Sequence, residues 1–186
     1  MMHSLSPDET TAAMVLAFWR EAGPKRWFRK DAAFDSGFRA RFLAAHELAA
    51  HGALGNWSDD PEGALALLIL LDQFPRNAFR GSTQMFATDA QALQLAHRAI
   101  GAGFDQRIDA DLRNFFYLPL MHSEDLNDQQ QAVNLTETLG PEPHRFAVMH
   151  RDIIDKFGRF PHRNAVLSRT SSPQEQRFLD EGGFDG

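Results

Sequence analysis

The sequence predicts an all-α protein built from stacked antiparallel helical hairpins. Apolar residues recur at three- and four-residue steps along most of the chain, capping residues and prolines mark the helix starts, and no stretch alternates as a β-strand does. Short loops between consecutive amphipathic helices make neighbours antiparallel. Because 186 residues is the length of one domain, we expect a single helical domain over residues 1–181 and a frayed tail over residues 182–186.

The first three helices have clear boundaries. Ser6–Glu9 forms a capping box for a first helix that ends near Gly23. Phenylalanines at positions 34, 38 and 42 form one face of a second helix, which stops around His51. Asp60 starts a third helix. Since residues 64–71 are apolar on every side, this helix should be surrounded by other helices at the centre of the core.

Later helices are marked in the same way. Thr88–Gln91 forms a second capping box, and a fifth helix begins near Asp109 and is interrupted at Pro119. Ser123–Leu126 can cap a sixth helix, and Ser172–Glu175 opens a short last one. In the seventh, the inward face consists of Phe146, His150, Ile153 and Phe157.

Composition limits the classes of function. The net charge of −6 disfavours a general attraction to nucleic acid or to anionic membranes, so we expect neither as a partner. The absence of cysteine excludes disulfides, iron–sulfur clusters and thiolate metal sites. The chain begins without a basic region followed by an apolar run, and its longest apolar stretch is far shorter than the roughly 20 residues of a membrane span. We therefore expect a cytoplasmic protein.

Two predicted helix ends carry similar sequences. Asp72–Ala78 and Asp155–Ala165 both combine Asp with Phe, Pro, Arg and Asn, as expected where proline stops a helix and arginine folds back. The polar residues at these exits either pair with each other and fix the helix ends, or hold an acidic small molecule or a peptide. The candidate ligand-binding residues are Asp72, Arg76, Asn77, Arg80, Arg159, His162, Arg163 and Asn164.

Three further residues are candidates for acid–base catalysis. His122 and Glu124 stand at a predicted helix start, where free backbone N–H groups favour anions, and His150 faces inward on its helix. Brought together, they would supply the tunable pairs that general acid–base chemistry requires. Alternatively, Glu124 serves the helix dipole and His150 is a hydrogen-bonded core residue.

Two other signals carry less weight. His46 and His51 resemble part of a zinc-protease helix, but five positions place the imidazoles about 140° apart around the helix, so we expect no metal there and no cofactor elsewhere. The segment 25–30 has four cations around Trp27 and Phe28. We expect both aromatic rings to dock on the core while the charges stay in water.

The chain resembles an uncharacterised, mainly bacterial family, domain of unknown function 924. The matching stretches are Phe18-Trp19, Trp27-Phe28 with Phe34-Asp35, Leu70–Asn77 with Arg80-Gly81, Phe116–Glu124, His150–Ile154 and Gly158–Asn164. The resemblance implies a tetratricopeptide-like α–α superhelix and no particular activity.

Two functions fit the sequence. One is a helical binding module whose groove takes an anionic small molecule or peptide between the helix exits. The other is a hydrolase or lyase for an anionic substrate, with His122 or His150 as the base, Glu124 or Asp72 as its partner, and an arginine as the anion clamp. Both require the two exits and the His122–Glu124 bend to lie close together.

Overall fold

The structure, a computed structural model, describes residues 10–184, and these residues form helices and turns without a β-strand. The all-α prediction is confirmed. The chain divides into two compact units: the first contains residues up to Arg80 together with Gln84–Pro119, and the second contains Gly81–Thr83 and the residues from Leu120 onward. The prediction of a single domain over residues 1–181 stays a prediction.

The first unit contains helices α1 to α6 and most of α7. Their bounds are α1 Ala12–Ala22, α2 Pro24–Trp27, α3 Ala32–Ala50, α4 Pro61–Leu68, α5 Phe74–Ala78, α6 Asp89–Gly101 and α7 Ala110–His122. Helix α4 packs against α1 and α6, and α3 packs against α5. Since seven of the eight residues of α4 are buried, all except Glu62, the prediction that this apolar segment forms the centre of the core is confirmed for this unit.

The second unit contains the end of α7 and three further helices. Their bounds are α8 Leu126–Thr136, α9 Pro141–Phe157 and α10 Pro173–Asp180. Consecutive helices α8 and α9 pack on each other. A small apolar cluster of Ile153, Ile154 and Phe160 forms its buried centre, with four half-buried side chains packed around it: Met149, Phe157, Phe178 and Phe184.

The prediction that Pro75 stops a helix is wrong. The residues Ile69–Gln73 form a π-helical turn that joins α4 directly to α5, and Pro75 stands in the first turn of α5. The wider π turn accommodates a residue without an N–H. Three consecutive carbonyls, those of residues 70, 71 and 72, accept hydrogen bonds from the side chains of His46 (2.9 Å), Thr88 (2.5 Å) and Arg76 (2.9 Å). Side chains thus replace backbone donors along this turn.

Pro119 likewise does not interrupt its helix. It lies inside α7, which continues to His122. In the second unit the amide nitrogen of the fully buried Gln129 donates to the carbonyls of Leu120, Met121 and Ser123 at 3.3, 2.7 and 2.7 Å. One amide side chain therefore donates to several of the carbonyl groups at and just after the end of α7.

Most predicted caps are confirmed. Asp60 and Asp125 accept hydrogen bonds from the first backbone N–H groups of α4 and α8, and Ser172 forms the predicted capping box with Glu175. The predicted box at Thr88 is wrong: this residue precedes α6, but its hydroxyl donates to the carbonyl of Leu71 instead of capping. The box at 6–9 lies outside the described residues.

Two aromatic side chains are more exposed than predicted. Phe146 is 37% exposed, because it lies at the edge of the α9 face that His150 and Ile153 bury. Trp27 docks on the core and donates from its indole to the carbonyl of Trp19 at 2.7 Å, whereas Phe28 is 63% exposed. Phe28 follows the one-turn helix α2 and stacks on Phe115 with only one face of its ring.

The residues after α10 fold back on the second unit as far as they are described. Gly182 and Gly183 donate backbone hydrogen bonds to the carbonyls of Leu179 and Phe178, and Phe184 is half-buried. Residues 185 and 186, for which the sequence also predicts fraying, lie outside the described residues. Among residues 10–184, no helix combines the length and the apolar composition needed to cross a bilayer.

Candidate functional site

The first helix exit, in the first unit, is a closed network of charges. The carboxylate of Asp72, 1% exposed, accepts from Gln73 at 2.6 Å and lies 3.2 Å from the guanidinium of Arg76. Arg76 also binds Asp89 through two hydrogen bonds of 2.8 and 3.0 Å. Burial alone would lower the pKa of Arg76, but the two carboxylates raise it above its usual value. Arg76 therefore stays charged and its donors face these two carboxylates.

The other two candidates at this exit share one partner. Asp35, on α3, accepts from the amide of Asn77 at 2.6 Å and from Nε of Arg80 at 2.7 Å. This pairing ties the end of α5 to α3, a structural role for both side chains. Asp35 lies in a stretch that matches the family, but sequence reasoning did not make it a site candidate, because it stands on a different helix, far away along the chain.

The second exit, in the second unit, is anchored by Arg159. Its guanidinium binds the buried carboxylate of Glu175 through hydrogen bonds of 2.6 and 2.7 Å. Glu175 is also the carboxylate of the α10 capping box. The hydrogen bonds from Arg159 and from the N–H of Ser172 outweigh the effect of burial and lower the pKa of Glu175 to about 2. Glu175 is thus ionised at neutral pH and fixes the start of α10.

The predicted meeting of the His122–Glu124 bend with this exit does occur within the second unit. Glu124 accepts from the backbone N–H of Phe160 at 2.8 Å and binds Arg169 through hydrogen bonds of 2.8 and 3.0 Å. Burial would raise the pKa of Glu124, but these donors lower it below its usual value. The guanidinium of the buried Arg163 donates to the carbonyl of His122 at 2.9 Å.

Arg169 is the residue of this network that sequence reasoning missed. Besides Glu124, it binds the carbonyl of Phe160 at 3.0 Å and the side-chain oxygen of Asn164 at 2.9 Å. It follows Ser168, whose φ of +55° places the loop in the left-handed region. No spacing or motif in the sequence distinguishes this loop arginine from the other fifteen.

Two histidines of the second unit, His150 and His162, pack against aromatic rings. The rings of His150 and His162 lie 5.6 and 5.5 Å from Phe160 and 4.7 and 5.1 Å from Phe184. Nδ1 of His150 also lies 2.8 Å from the carbonyl of Phe146 on its own helix. These contacts give His150 a packing role, and the catalytic role predicted for His122, Glu124 and His150 stays a prediction.

A groove beside α9 is one concavity of the described structure. It has a volume of about 460 Å³, within the range of ligand sites. One wall is a stripe of α9 at helical spacing, and the other is formed by Phe178 of α10 and by Phe184. The lining residues on α9 are Arg145, Val148, Met149, Asp152, Ile153, Lys156 and Phe157. Another concavity, in the first unit, has about 170 Å³ and is small for an organic ligand.

Two cations border this apolar groove. Arg145 and Lys156 are about 16 Å apart along α9 at 1.5 Å per residue. The ammonium of Lys156 lies 5.0 Å from the ring centre of Phe157 and 5.9 Å from that of Phe178, so it stands over the apolar floor. The one lining carboxylate, Asp152, is 2.7 Å from Arg151. Charge along the groove is therefore positive, apart from this paired carboxylate.

Sequence reasoning missed this groove. The inward stripe through His150 and Ile153 was apparent from the spacing, but the adjacent stripe through Met149, Asp152 and Lys156 has the composition of an ordinary solvent-facing surface. It becomes a groove only because Phe178 and Phe184, from the end of the chain, pack opposite α9. Among residues 10–184, no cluster of three or more His, Asp or Glu side chains could hold a metal ion.

These features define an all-helical protein with two internally paired helix exits and one apolar groove bordered by cations. The chain belongs to the family described as bacterial protein of unknown function (DUF924), whose model matches residues 15–183. The resemblance of the sequence to this family is thereby confirmed. A solved structure of a protein of unknown function from Agrobacterium tumefaciens, ATU0120, is 51% identical, has a TM-score of 0.90, and covers 92% of this chain and 97% of its own. Curated proteins give no match.

Proposed function

We propose that this protein is a binding module whose α9 groove takes an anionic ligand with an apolar body. The observation that carries the proposal is the groove itself, an apolar floor of ligand size with a cation near each end. The ligand is a small organic acid or the end of a peptide with the same chemistry. A peptide ligand would agree with the tetratricopeptide-like superhelix implied by the family resemblance, which we retain as a proposal together with the cytoplasmic location.

The apolar floor provides the affinity. Met149, Ile153, Phe157 and Phe178 present carbon atoms to the groove, and each methylene that a ligand buries there contributes about 0.8 kcal/mol before the costs of association. Ile153 belongs to the buried cluster of the unit, and Phe157 and Phe178 pack on that cluster. The floor is therefore held in place before a ligand arrives, which lowers the entropy cost of binding.

The charged border provides the preference for an anion. The ammonium of Lys156 stands over the two rings that form one end of the floor, where an acid group on the ligand could reach it. Because the lining carboxylate Asp152 is paired with Arg151, it opposes an anion less than an isolated carboxylate would.

The helix exits support this proposal less well than the groove. The polar side chains there bind each other: Asp72 pairs with Arg76, Asp35 with Arg80, and Glu175 with Arg159. A ligand would have to compete with these contacts. Ligand binding at the exits stays a prediction, as does the hydrolase or lyase alternative, because the contacts of Glu124 with Phe160 and Arg169, and of His150 with Phe146 and Phe160, suit a structural role.

A dye titration tests the proposal. The probe is 1-anilinonaphthalene-8-sulfonate, which has an apolar body and one negative charge, and undecanoate serves as a competitor without fluorescence. We expect saturable binding to the wild type, displaced by undecanoate. Lys156→Glu should weaken binding about five- to tenfold, because reversing an exposed charge beside an anion costs on the order of 1 kcal/mol.

The matched control is Lys30→Glu, which changes the net charge by the same amount at an exposed position in the first unit. It should leave the affinity within twofold of the wild type. Equal losses in the two variants would mean that only overall charge matters, and an absence of displaceable dye binding would contradict the proposed function itself.

A further inference from the structure

The wall opposite α9 depends on a turn of two glycines after α10. Gly182 has φ of +79°, a conformation that side chains rarely adopt. At Gly183 an added Cβ would lie 2.5 Å from the carbonyl oxygen of Phe178 and 2.6 Å from its ring. The N–H of Gly183 donates to that same carbonyl at 2.9 Å. The chain can therefore fold this closely over the end of α10 only with glycine at position 183.

This turn places Phe184 in the groove and holds it there. The ring of Phe184 lines the groove and lies edge-on against two histidines, at 4.7 Å from His150 and 5.1 Å from His162. Both histidines also contact the fully buried Phe160. Packing from behind and the glycine turn along the chain together fix the position of the ring. Phe184 is thus packed into the wall.

We propose that Phe184 determines which apolar bodies the groove admits, an inference that rests on the proposed function. With its ring in place, the groove between α9 and this wall takes an unbranched chain or a flat ring system. A ligand whose apolar part is a broad cage collides with Phe184, because the histidine contacts and the glycine turn keep the ring from moving aside. The ligand class is therefore a narrow amphipathic acid.

Two acids with the same head group and ten apolar carbons each test this width limit. Undecanoate has an extended chain, and adamantane-1-carboxylate has a compact cage. Each is titrated against the bound anilinonaphthalene sulfonate, and the ratio of their affinities is compared between variants. We expect the wild type to prefer undecanoate, and Phe184→Ala to shift the ratio at least tenfold toward the cage. Phe184→Leu should shift it in the same direction by a smaller factor.

Two further variants test the effect of the glycine turn and provide a control. Gly183→Ala keeps Phe184 but forces the backbone away from Phe178, so it should shift the ratio in the same direction as Phe184→Ala. Phe146→Ala removes a partly exposed ring of α9 that does not line the groove, and it should leave the ratio unchanged. Thermal unfolding of each variant shows that the comparison is made between folded proteins.

The outcomes distinguish this inference from the proposed function. If the wild type binds undecanoate and the ratio stays the same in Phe184→Ala and Phe184→Leu, the groove binds ligand but Phe184 does not select it, and the inference is wrong. If Phe146→Ala shifts the ratio as much as Phe184→Ala, selection does not occur at this wall. If neither acid displaces the dye from the wild type, the proposed function fails and the inference fails with it.

Discussion

His46 is a buried polar side chain with a structural role. Its Nδ1 lies 2.9 Å from the carbonyl of Leu70, and since a carbonyl can only accept, that nitrogen carries the proton. The ring stacks on Phe74 with 4.8 Å between the ring centres. Burial lowers the pKa of His46, and the Leu70 carbonyl and Glu47 offset only part of this effect. The native state therefore favours the neutral imidazole.

Stability should consequently fall as the pH drops below about 6.5, the ordinary pKa of histidine. In that range the unfolded chain binds a proton that the folded chain resists, so protonation favours unfolding. His46→Asn preserves a donor for Leu70 but cannot titrate. We expect the variant to be about 1–2 kcal/mol less stable than the wild type at pH 7, since it loses the ring packing, and the gap to narrow at pH 5.

Urea unfolding at both pH values measures this gap. The other histidines titrate in both proteins and cancel in the difference. A gap that stays constant between pH 7 and pH 5 would show that folding does not lower the pKa of His46.

Among the helical elements, the π turn between α4 and α5 shows how a proline is built into a helix. Pro75 offers no N–H, so the carbonyl of Leu71, four residues earlier, has no α-helical donor. The hydroxyl of Thr88 donates to it at 2.5 Å, and Thr88 is buried. The side chain of Thr88, which the sequence predicted to cap α6, therefore attaches the start of α6 to the π turn.

Thr88→Val should cost about 1–3 kcal/mol, because it keeps the shape of the side chain but removes the hydroxyl that donates to the carbonyl of Leu71. Thr88→Ser keeps the hydroxyl and should retain most of the stability. Chemical denaturation of the three proteins checks this order. Equal losses in Thr88→Val and Thr88→Ser would mean that the methyl group, rather than the hydrogen bond, is what matters at this position.

The helix interiors were predictable from the sequence, whereas the two proline sites were not. Asp60, Asp125 and Ser172 act locally on the next few N–H groups, so their residue types indicate their role. Whether Pro75 or Pro119 ends a helix depends on distant donors. At Pro75 the donor to Leu71 comes from Thr88, and beyond Pro119 the carbonyls of α7 receive the amide of Gln129. Local patterns contain no information about such partners.

For the molecule as a whole, the candidate site was the least predictable feature. The charged residues at the helix exits attract attention in the sequence, but charges in a folded protein commonly pair with each other, as Arg159 does with Glu175. The groove consists of residues that individually look ordinary. It arises because Phe178 and Phe184 pack opposite α9, a tertiary arrangement that depends on the turn at Gly183.

Because every residue that lines the groove belongs to the second unit, a bound ligand should stabilise that unit in particular. With undecanoate at 100 times its Kd, binding adds about 2.7 kcal/mol to the free energy of any opening that releases the ligand. Amides of α9 and α10 that exchange by opening of this unit should then exchange up to about a hundredfold more slowly. Amides of α3 and α4, in the first unit, should change little.

Hydrogen–deuterium exchange followed by mass spectrometry, with and without undecanoate, makes this comparison on the full chain. Lys156→Glu at the same undecanoate concentration is the control, since its weaker binding should reduce the protection of α9. Equal protection of α4 and α9 would mean that the ligand acts on both units, and protection of α4 alone would place the binding site outside the groove.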